Sequence, residues 1–310
     1  MSLSNKTKKW LNKNCGISLK GKTVIVTGAN SGIGFKTAEI SVYLGADVIL
    51  ACRDENKASS ARDDLLRDYP DANVKIMKLD LASLSSIDAF VKELVDNKTD
   101  VYAFVNNAGC FHHPGKKTEY GCDLVIGTNY FGVYYLSERI LPYLETLHHD
   151  VIYVNTVSVI IKTAKEIDYQ DFYFSKKQSN VDVYARSKLC LAKYTFSLAE
   201  RMKNTGVRVL MNHPGIAITP LGINAYGSWV SRMSFLVRPI MNSPEKSSLS
   251  FAYIVSQNAS DGSLVGPRAM FNCYGYPKEN RLPNKVKSGA EELIRFTEKE
   301  LEKAKTLYNK

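Results

Sequence analysis

Lys22-Thr-Val-Ile-Val-Thr-Gly-Ala-Asn-Ser-Gly-Ile-Gly34, running on through Phe35 to Leu44 and into Gly45-Ala-Asp-Val-Ile-Leu-Ala51, is the stretch that decides the fold. A short β-branched run ending at Thr27 meets glycines, and a helical pattern follows from Ile33 to Leu44. Gly45 and Ala46 stop that helix before a second apolar run, Asp47 to Ala51. The order predicts strand, tight loop, helix, strand.

The same rhythm continues along the chain. Apolar runs recur at Val74 to Leu79, Val101 to Val105 and Val151 to Val154, with segments of helical length between them. Leu189, Ala192, Phe196 and Ala199 then mark a helix from Val183 to about Lys203, which Gly206 closes before a strand from Val207 to Met211. Nearly continuous apolar strands alternating with helices describe a parallel sheet buried on both faces. The expected fold is α/β: a doubly wound parallel sheet of the Rossmann type in three α/β/α layers. No Pro/Gly/Ser-rich linker interrupts it, so residues 21–310 read as one domain behind an N-terminal extension, 1–20. Between 220 and 243, Tyr226, Trp229, Met233, Phe235, Leu236 and Met241 sit among glycines and serines. Both an apolar lid over a site and a peripheral packing helix fit that composition. From Glu291 to Lys310 acid and base alternate around Leu293, Phe296 and Leu301, as in a surface helix packing one narrow face.

The formal charge of +10 comes from 41 basic residues interleaved with 31 acidic ones, which argues for a solvated lysine-rich surface and against a nucleic-acid footprint. The densest basic stretch, Lys6, Lys8, Lys9, Lys13, Lys20 and Lys22, flanks a short apolar stripe of Trp10, Leu11 and Ile17 that leaves contact with an anionic membrane surface open. Disorder is expected only at the ends. The first thirty residues show no signal-peptide core and no run is long enough to span a bilayer, so no transmembrane anchor is expected. Cys15, Cys52, Cys110, Cys122, Cys190 and Cys273 show no CxxC pair, which fits free thiols and a cytoplasmic location. His112-His113 and His148-His149 lack metal-ligand spacing, and no GxSxG elbow marks a hydrolase.

Gly28, Gly32 and Gly34, with Asn30, Ser31 and Ile33 between them, sit where a strand turns into a helix. Close backbone approach and a helix N-terminus suit a pyrophosphate, so the loop is a candidate dinucleotide site. The residue ending the second strand then decides which dinucleotide. An acidic side chain there would accept from the ribose hydroxyls of NAD; Cys52-Arg53 stands there instead, and a guanidinium favours the 2′-phosphate of NADP, with Asp54 adjacent. Further on, Tyr184 and Lys188 lie four residues apart on one helical face. An ammonium beside a phenol favours the phenolate and draws a pKa near 10 toward the range of acid–base catalysis.

Taken in order, the TGxxxGIG loop, Asn106-Asn107-Ala108-Gly109, Ser158 and Tyr184-Ala-Arg-Ser-Lys188 resemble the short-chain dehydrogenase/reductase family over about residues 21 to 220. Ala51-Cys52-Arg53-Asp54, the N-terminal extension and the 26-position interval from Ser158 to Tyr184 are similar to its retinol-dehydrogenase-like branch. The resemblance implies that Tyr184 is the general acid or base, that Lys188 lowers its pKa, that Ser158 bonds the substrate oxygen and that Asn129 holds a water linking Lys188 to solvent. It implies that Asp80 and Leu81 meet the adenine, that Asn107, Ala108 and Gly109 pass beside the cofactor, and that Pro214, Gly215 and Thr219 pack near the nicotinamide. Val157 stands where many members have a second serine, and Thr156 is a rival hydroxyl; Ser158 is preferred for its distance from Asn155. The implied activity is NADP(H)-dependent hydride transfer on an apolar carbonyl or alcohol: an aldehyde, ketone, steroid or retinoid-like compound. A dinucleotide-binding scaffold without turnover is the alternative class. The sequence leaves the oligomeric state open; the sheet edge and late helices are the surfaces on which a homo-oligomer would form.

Overall fold

The computed structural model describes residues 2–111, 115–172, 179–216, 241–256, 259–270 and 272–308. The strands β1 (Thr23–Thr27), β2 (Asp47–Cys52), β3 (Val74–Lys78), β4 (Val101–Asn106), β5 (Val151–Thr156), β6 (Val207–Asn212), β7 (Leu264–Ala269) and β8 (Tyr274–Asn280) form one sheet in the order 3-2-1-4-5-6-7-8. Every pairing is parallel except that of β8, which returns antiparallel along β7.

Side chains alternate to two cores. Val24, Val26, Val48, Leu50, Ala103, Val105, Ile152 and Val154 point to one, together with Ala38 and Val42 of α2 (Gly32–Tyr43) and Phe251 and Ile254 of α8 (Pro244–Ser256). Ile25, Ile49, Phe104, Tyr153 and Val209 point to the other. That second core takes Ile87, Phe90 and Leu94 of α4 (Leu84–Asp96), Leu136 and Ile140 of α6 (Gly132–Leu144) and Leu189 and Ala192 of α7 (Asn180–Arg201). The period-2 alternation thus matches helices on both faces of the sheet, as a doubly wound fold requires. Helix α3 (Glu55–Asp68) buries Ala58, Ala61 and Leu65 in the first core, and α6 is preceded by a short α5 (Leu124–Ile126) and a π-helical turn, Gly127–Phe131.

Two expectations need correction. Residues 2–20 are not a loose end: α1 (Asn5–Asn14) is capped by Ser4 Oγ and ties to α8 where Ser4 Oγ donates to Glu245 Oε1 at 2.5 Å. Leu3, Leu11 and Cys15 join Ile40, Leu249 and Ala252 in a separate cluster, and Trp10 stacks on Tyr276 at 5.7 Å. The apolar stripe of Trp10, Leu11 and Ile17, which the sequence left open to a membrane surface, packs against the protein. The second correction concerns β7 and β8, which extend the sheet beyond the last strand read from the sequence. The C-terminal helix α9 (Ala290–Tyr308) buries Leu293 and Leu301 and packs along α7, as its alternating pattern predicts. Nearly all of the apolar segment 220–243 lies outside the described residues, as does Thr219.

Candidate active site

The site is built from the carboxyl ends of the central strands. Thr27, last in β1, takes two backbone amides on its hydroxyl, those of Asn107 (3.0 Å) and Ala108 (2.9 Å), and Asn107 Nδ2 returns a bond to the Thr27 carbonyl at 2.9 Å. The Gly28 amide donates to the Ala51 carbonyl at 2.8 Å. These bonds stitch together the ends of β1, β2 and β4. Gly28 has φ +64°, and a Cβ there would fall 2.9 Å from Ala108 Cα; one on Gly34 would fall 2.5 Å from the Gly28 carbonyl oxygen. Both positions therefore demand glycine, the first for conformation and close approach, the last for close approach alone. Helix α2 opens at Gly32 behind Ser31, whose side chain caps nothing, so the amides of the first turn face outward with the positive end of the helix dipole.

This loop forms one wall of a cleft of about 540 Å³. One end is lined by Arg53, Asp54 and Lys57, beside Leu79, Asp80 and Leu81. Asp54 caps α3 by accepting from the Lys57 amide at 3.1 Å and pairs with Lys57 Nζ at 3.2 Å. Those bonds to Lys57 hold its carboxyl below the usual carboxylate range. The acid that shadowed Arg53 in the sequence is thus partly neutralised by a second cation. Asp80 turns the chain by accepting from the Ala82 amide at 2.9 Å.

At the other end the cleft is lined by Cys110, Thr156, Val157, Tyr184, Lys188 and Pro214. Tyr184 and Lys188 come from α7, which Ser179 caps by accepting from the Asp182 amide. The Tyr184 ring lies 4.9 Å from that of Phe111. Lys188 is almost wholly buried and donates from Nζ to the Thr156 carbonyl at 2.8 Å. Burial disfavours its charged form and lowers its pKa from 10.5 to about 8; the Cys110 thiolate would oppose this, but burial pushes that thiol up to about 11.

Asn129 is fully buried in the π-helical turn and lies against Gly109, where a Cβ would meet Asn129 Oδ1 at 3.0 Å and Lys188 Nζ at 3.5 Å. Its amide is consumed locally: Oδ1 accepts from the Cys110 amide at 2.8 Å, while Nδ2 donates to the Cys110 carbonyl at 2.8 Å and to Ser187 Oγ at 3.0 Å. Ser158, half-buried, caps the 3₁₀ turn Val159–Lys162 through a 3.4 Å bond from the Ile160 amide. Its rival Thr156 has its hydroxyl buried without a partner and contributes to the cleft wall.

The structure thus brings to one cleft every loop residue named from the sequence, with Arg53, Asp80, Leu81, Asn107, Ala108, Gly109, Tyr184, Lys188 and Pro214. Asn129 and Ser158 stand behind that lining, Gly215 follows Pro214, and Thr219, His112 and His113 lie outside the described residues. Thr27 and Lys57 were missed. Thr27 was legible as the hydroxyl at the strand end before the loop, and Lys57 as a cation one helical turn beyond Arg53.

Residues 22–226 match the family model described as short chain dehydrogenase. Retinol dehydrogenase 14 of mouse is 36% identical over 234 residues, which is 72% of this chain and 68% of that protein. Retinol dehydrogenase 13 of mouse is 38% identical over 206 residues, 66% of this chain and 61% of that protein, so the match leaves more than a third of that relative uncovered. Among solved structures, an uncharacterised protein from Mycobacterium paratuberculosis superposes with TM-score 0.72 at 28% identity, covering 92% of this chain and 94% of that one. A short-chain dehydrogenase from Shigella flexneri, complexed with NADP, shares the fold with TM-score 0.64 at 19% identity, covering 79% of this chain and 96% of that one. The chain belongs to the short-chain dehydrogenase family and is an oxidoreductase of that class. Within the family it falls in the retinol-dehydrogenase-like branch.

Proposed function

We propose that the protein is an NADP(H)-dependent reductase of apolar carbonyl compounds. The observation that carries this is the convergence, on one cleft, of a glycine-walled helix N-terminus, two cations at the far end and the Tyr184–Lys188 face of α7. The residues fit a dinucleotide phosphate. The uncapped first turn of α2 and Ser31 suit a pyrophosphate, and the cradle at Gly28 and Gly34 admits it without a Cβ in the way. Asp80 and Leu81 would border the adenine, and Arg53 with Lys57 would take a 2′-phosphate, the guanidinium in bidentate fashion. When bound, the nicotinamide supplies the hydride.

The chain's own residues handle the proton and the substrate oxygen. In reduction Tyr184 gives its phenolic proton to the carbonyl oxygen as the carbonyl carbon gains hydride; C–H and O–H bonds form and the C=O π bond is lost. Lys188, held in the wall by the Thr156 carbonyl, supplies positive charge beside the phenolate that results. Ser158 steadies the substrate oxygen, and Asn129, which holds the Cys110 backbone by two bonds, would hold a water that joins Lys188 to solvent. Oxidation of an alcohol runs the same steps backward. An apolar substrate, retinoid-like, steroidal, or a simpler aldehyde or ketone, is supported by the composition of 220–243 and by the names of the relatives. The free cysteines fit a reducing compartment, in keeping with a cytoplasmic enzyme.

The test is to follow NADPH and NADH absorbance with the purified chain against a panel of aldehydes, ketones and steroids. NADPH is expected to be preferred, and Arg53→Asp to reverse the preference by about 10- to 100-fold, the worth of one charge-assisted contact exchanged for a repulsion. Unchanged preference in Arg53→Asp would contradict the 2′-phosphate assignment.

A further inference from the structure

The 3₁₀ turn that Ser158 caps ends on Lys162, where a second cleft begins, of about 350 Å³, lined by Lys162, Asn272, Arg281, Leu282, Pro283 and Asn284. It adjoins the first on two sides. One shared wall is the turn itself, which starts beside the hydroxyl assigned to the substrate oxygen. The other is the β7–β8 turn: the Ile216 amide donates to the Cys273 carbonyl at 3.0 Å, and Gly215, next to Pro214 in the wall of the active-site cleft, packs so closely on that carbonyl that a Cβ there would clash with it. The 3₁₀ rise from Ser158 to Lys162 is about 8 Å, so a ligand reaching from one side chain to the other spans on the order of 10 Å.

Among the described residues the lining holds two cations and no acid. Lys162 Nζ donates to Asn272 Oδ1 at 2.6 Å, an amide oxygen that compensates none of its charge. Asn272 Nδ2 donates to Asn280 Oδ1 at 2.6 Å and to the Pro267 carbonyl at 3.1 Å, which fixes the amide with its oxygen toward the ammonium. The turn passes through the left-handed region at Met270 (φ +50°) and Asn272 (φ +69°), a conformation that asparagine tolerates and methionine adopts only where its surroundings impose it. Arg281 brings five N–H donors, and among the described residues none of them has a hydrogen bond or an ion pair. Glu279, the acid nearest to it in sequence, accepts from the Ser260 amide at 2.8 Å. Leu282 and Pro283 add apolar surface to the wall.

We propose that this second cleft is the distal subsite of the substrate site, and that Lys162 and Arg281 receive a carboxylate at the far end of an apolar substrate whose carbonyl is reduced beside Tyr184. A guanidinium binds a carboxylate through two parallel N–H···O bonds, and an ammonium adds a second point charge. The substrate class is then an oxo acid of medium chain length, with an aldehyde or ketone at one end, an apolar middle and a carboxylate at the other. Both cations are exposed, so the pairing contributes selectivity more than affinity. The inference deepens the reading of the first cleft as a carbonyl-reduction site and rests on it.

The test compares 9-oxononanoate with its methyl ester as substrates of the full chain with NADPH. The wild type is expected to show a KM for the acid about fivefold below that for the ester, the upper worth of an exposed ion pair. Lys162→Met should shrink that ratio, Arg281→Met should bring it close to unity, and Arg281→Glu should invert it in favour of the ester. The two kcat values should differ by less than about twofold, since the carboxylate is remote from the reacting atoms. Equal KM values in the wild type, or a preference that survives Arg281→Glu, would overturn the proposal. So would an ester KM that falls on addition of inorganic phosphate while the acid has no advantage, because the cleft would then hold a separate anion. If neither compound is reduced, calorimetry with nonanoate decides: binding that Arg281→Glu abolishes would keep the anion subsite and remove the reductase reading, and binding that is absent or indifferent to Arg281→Glu would remove the subsite.

Discussion

Lys188 is an ammonium placed where ammonium ions are costly. Buried among Thr156, Cys110 and Gly109, it keeps one hydrogen bond and loses its water, and its pKa falls to about 8. Between that value and the unfolded 10.5 the unfolded chain binds the proton and the folded chain does not, so the strain at this site is fully present below about pH 8 and is relieved as pH rises through that window. Lys188→Met should therefore raise stability at pH 7 by about 1–2 kcal/mol, the gain from removing a buried charge less the Thr156 carbonyl left unpaired, while turnover collapses. Thermal unfolding at pH 7 and pH 10 checks this: the advantage of Lys188→Met should shrink at the higher pH, and an advantage that grows with pH would reverse the sign of the argument. Tyr184 and Lys188 were legible because helical spacing alone puts them on one face. That Thr156 rather than Ser158 lines the cleft was not, because which of two rival hydroxyls turns into a cleft depends on a twist that pattern does not record.

At the scale of elements, β1, α2 and β2 stood out because β-branched runs, glycines and an apolar helix are local signals. Strands β7 and β8 did not. Leu-Val-Gly-Pro-Arg-Ala and Tyr-Gly-Tyr-Pro-Lys-Glu-Asn carry glycine, proline and charge, and they are strands because β6 offers an edge to pair with, which is a tertiary cause. Helix α1 was hidden for a related reason: four uncharged polar and four basic residues surround Trp10 and Leu11, whose partners, Ile40, Leu249 and Tyr276, are distant in sequence. Its docking makes a prediction. Leu11→Ala, which empties a fully buried position, should cost about 2–4 kcal/mol in denaturant unfolding, as a core leucine does. A cost under about 0.5 kcal/mol would mean that α1 is an appendage.

At the scale of the whole molecule, the strand order turns back on itself between β1 and β4: the chain leaves β1 toward β2 and β3 on one side and resumes at β4 on the other. In an open parallel sheet the carboxyl ends of strands at such a reversal part to leave a crevice. Gly28 and Asn107 sit at that crevice, joined through Thr27, and later crossovers bring further residues to it: Thr156 at the end of β5, Tyr184 and Lys188 on the helix behind, Pro214 after β6. The topology thus explains why residues scattered over some 190 positions meet in one place. It does not by itself make a catalyst, since the same crevice would serve a scaffold that only binds. The proton-transfer role proposed for Tyr184 separates the two. The decisive measurement is single-turnover oxidation of NADPH by Tyr184→Phe with an accepted carbonyl substrate, alongside NADPH binding by fluorescence. Binding within about twofold of the wild type and a rate reduced by about 10²- to 10⁴-fold, the contribution of a positioned general acid, is the expected result; NADPH oxidised by Tyr184→Phe at the wild-type rate would contradict the account.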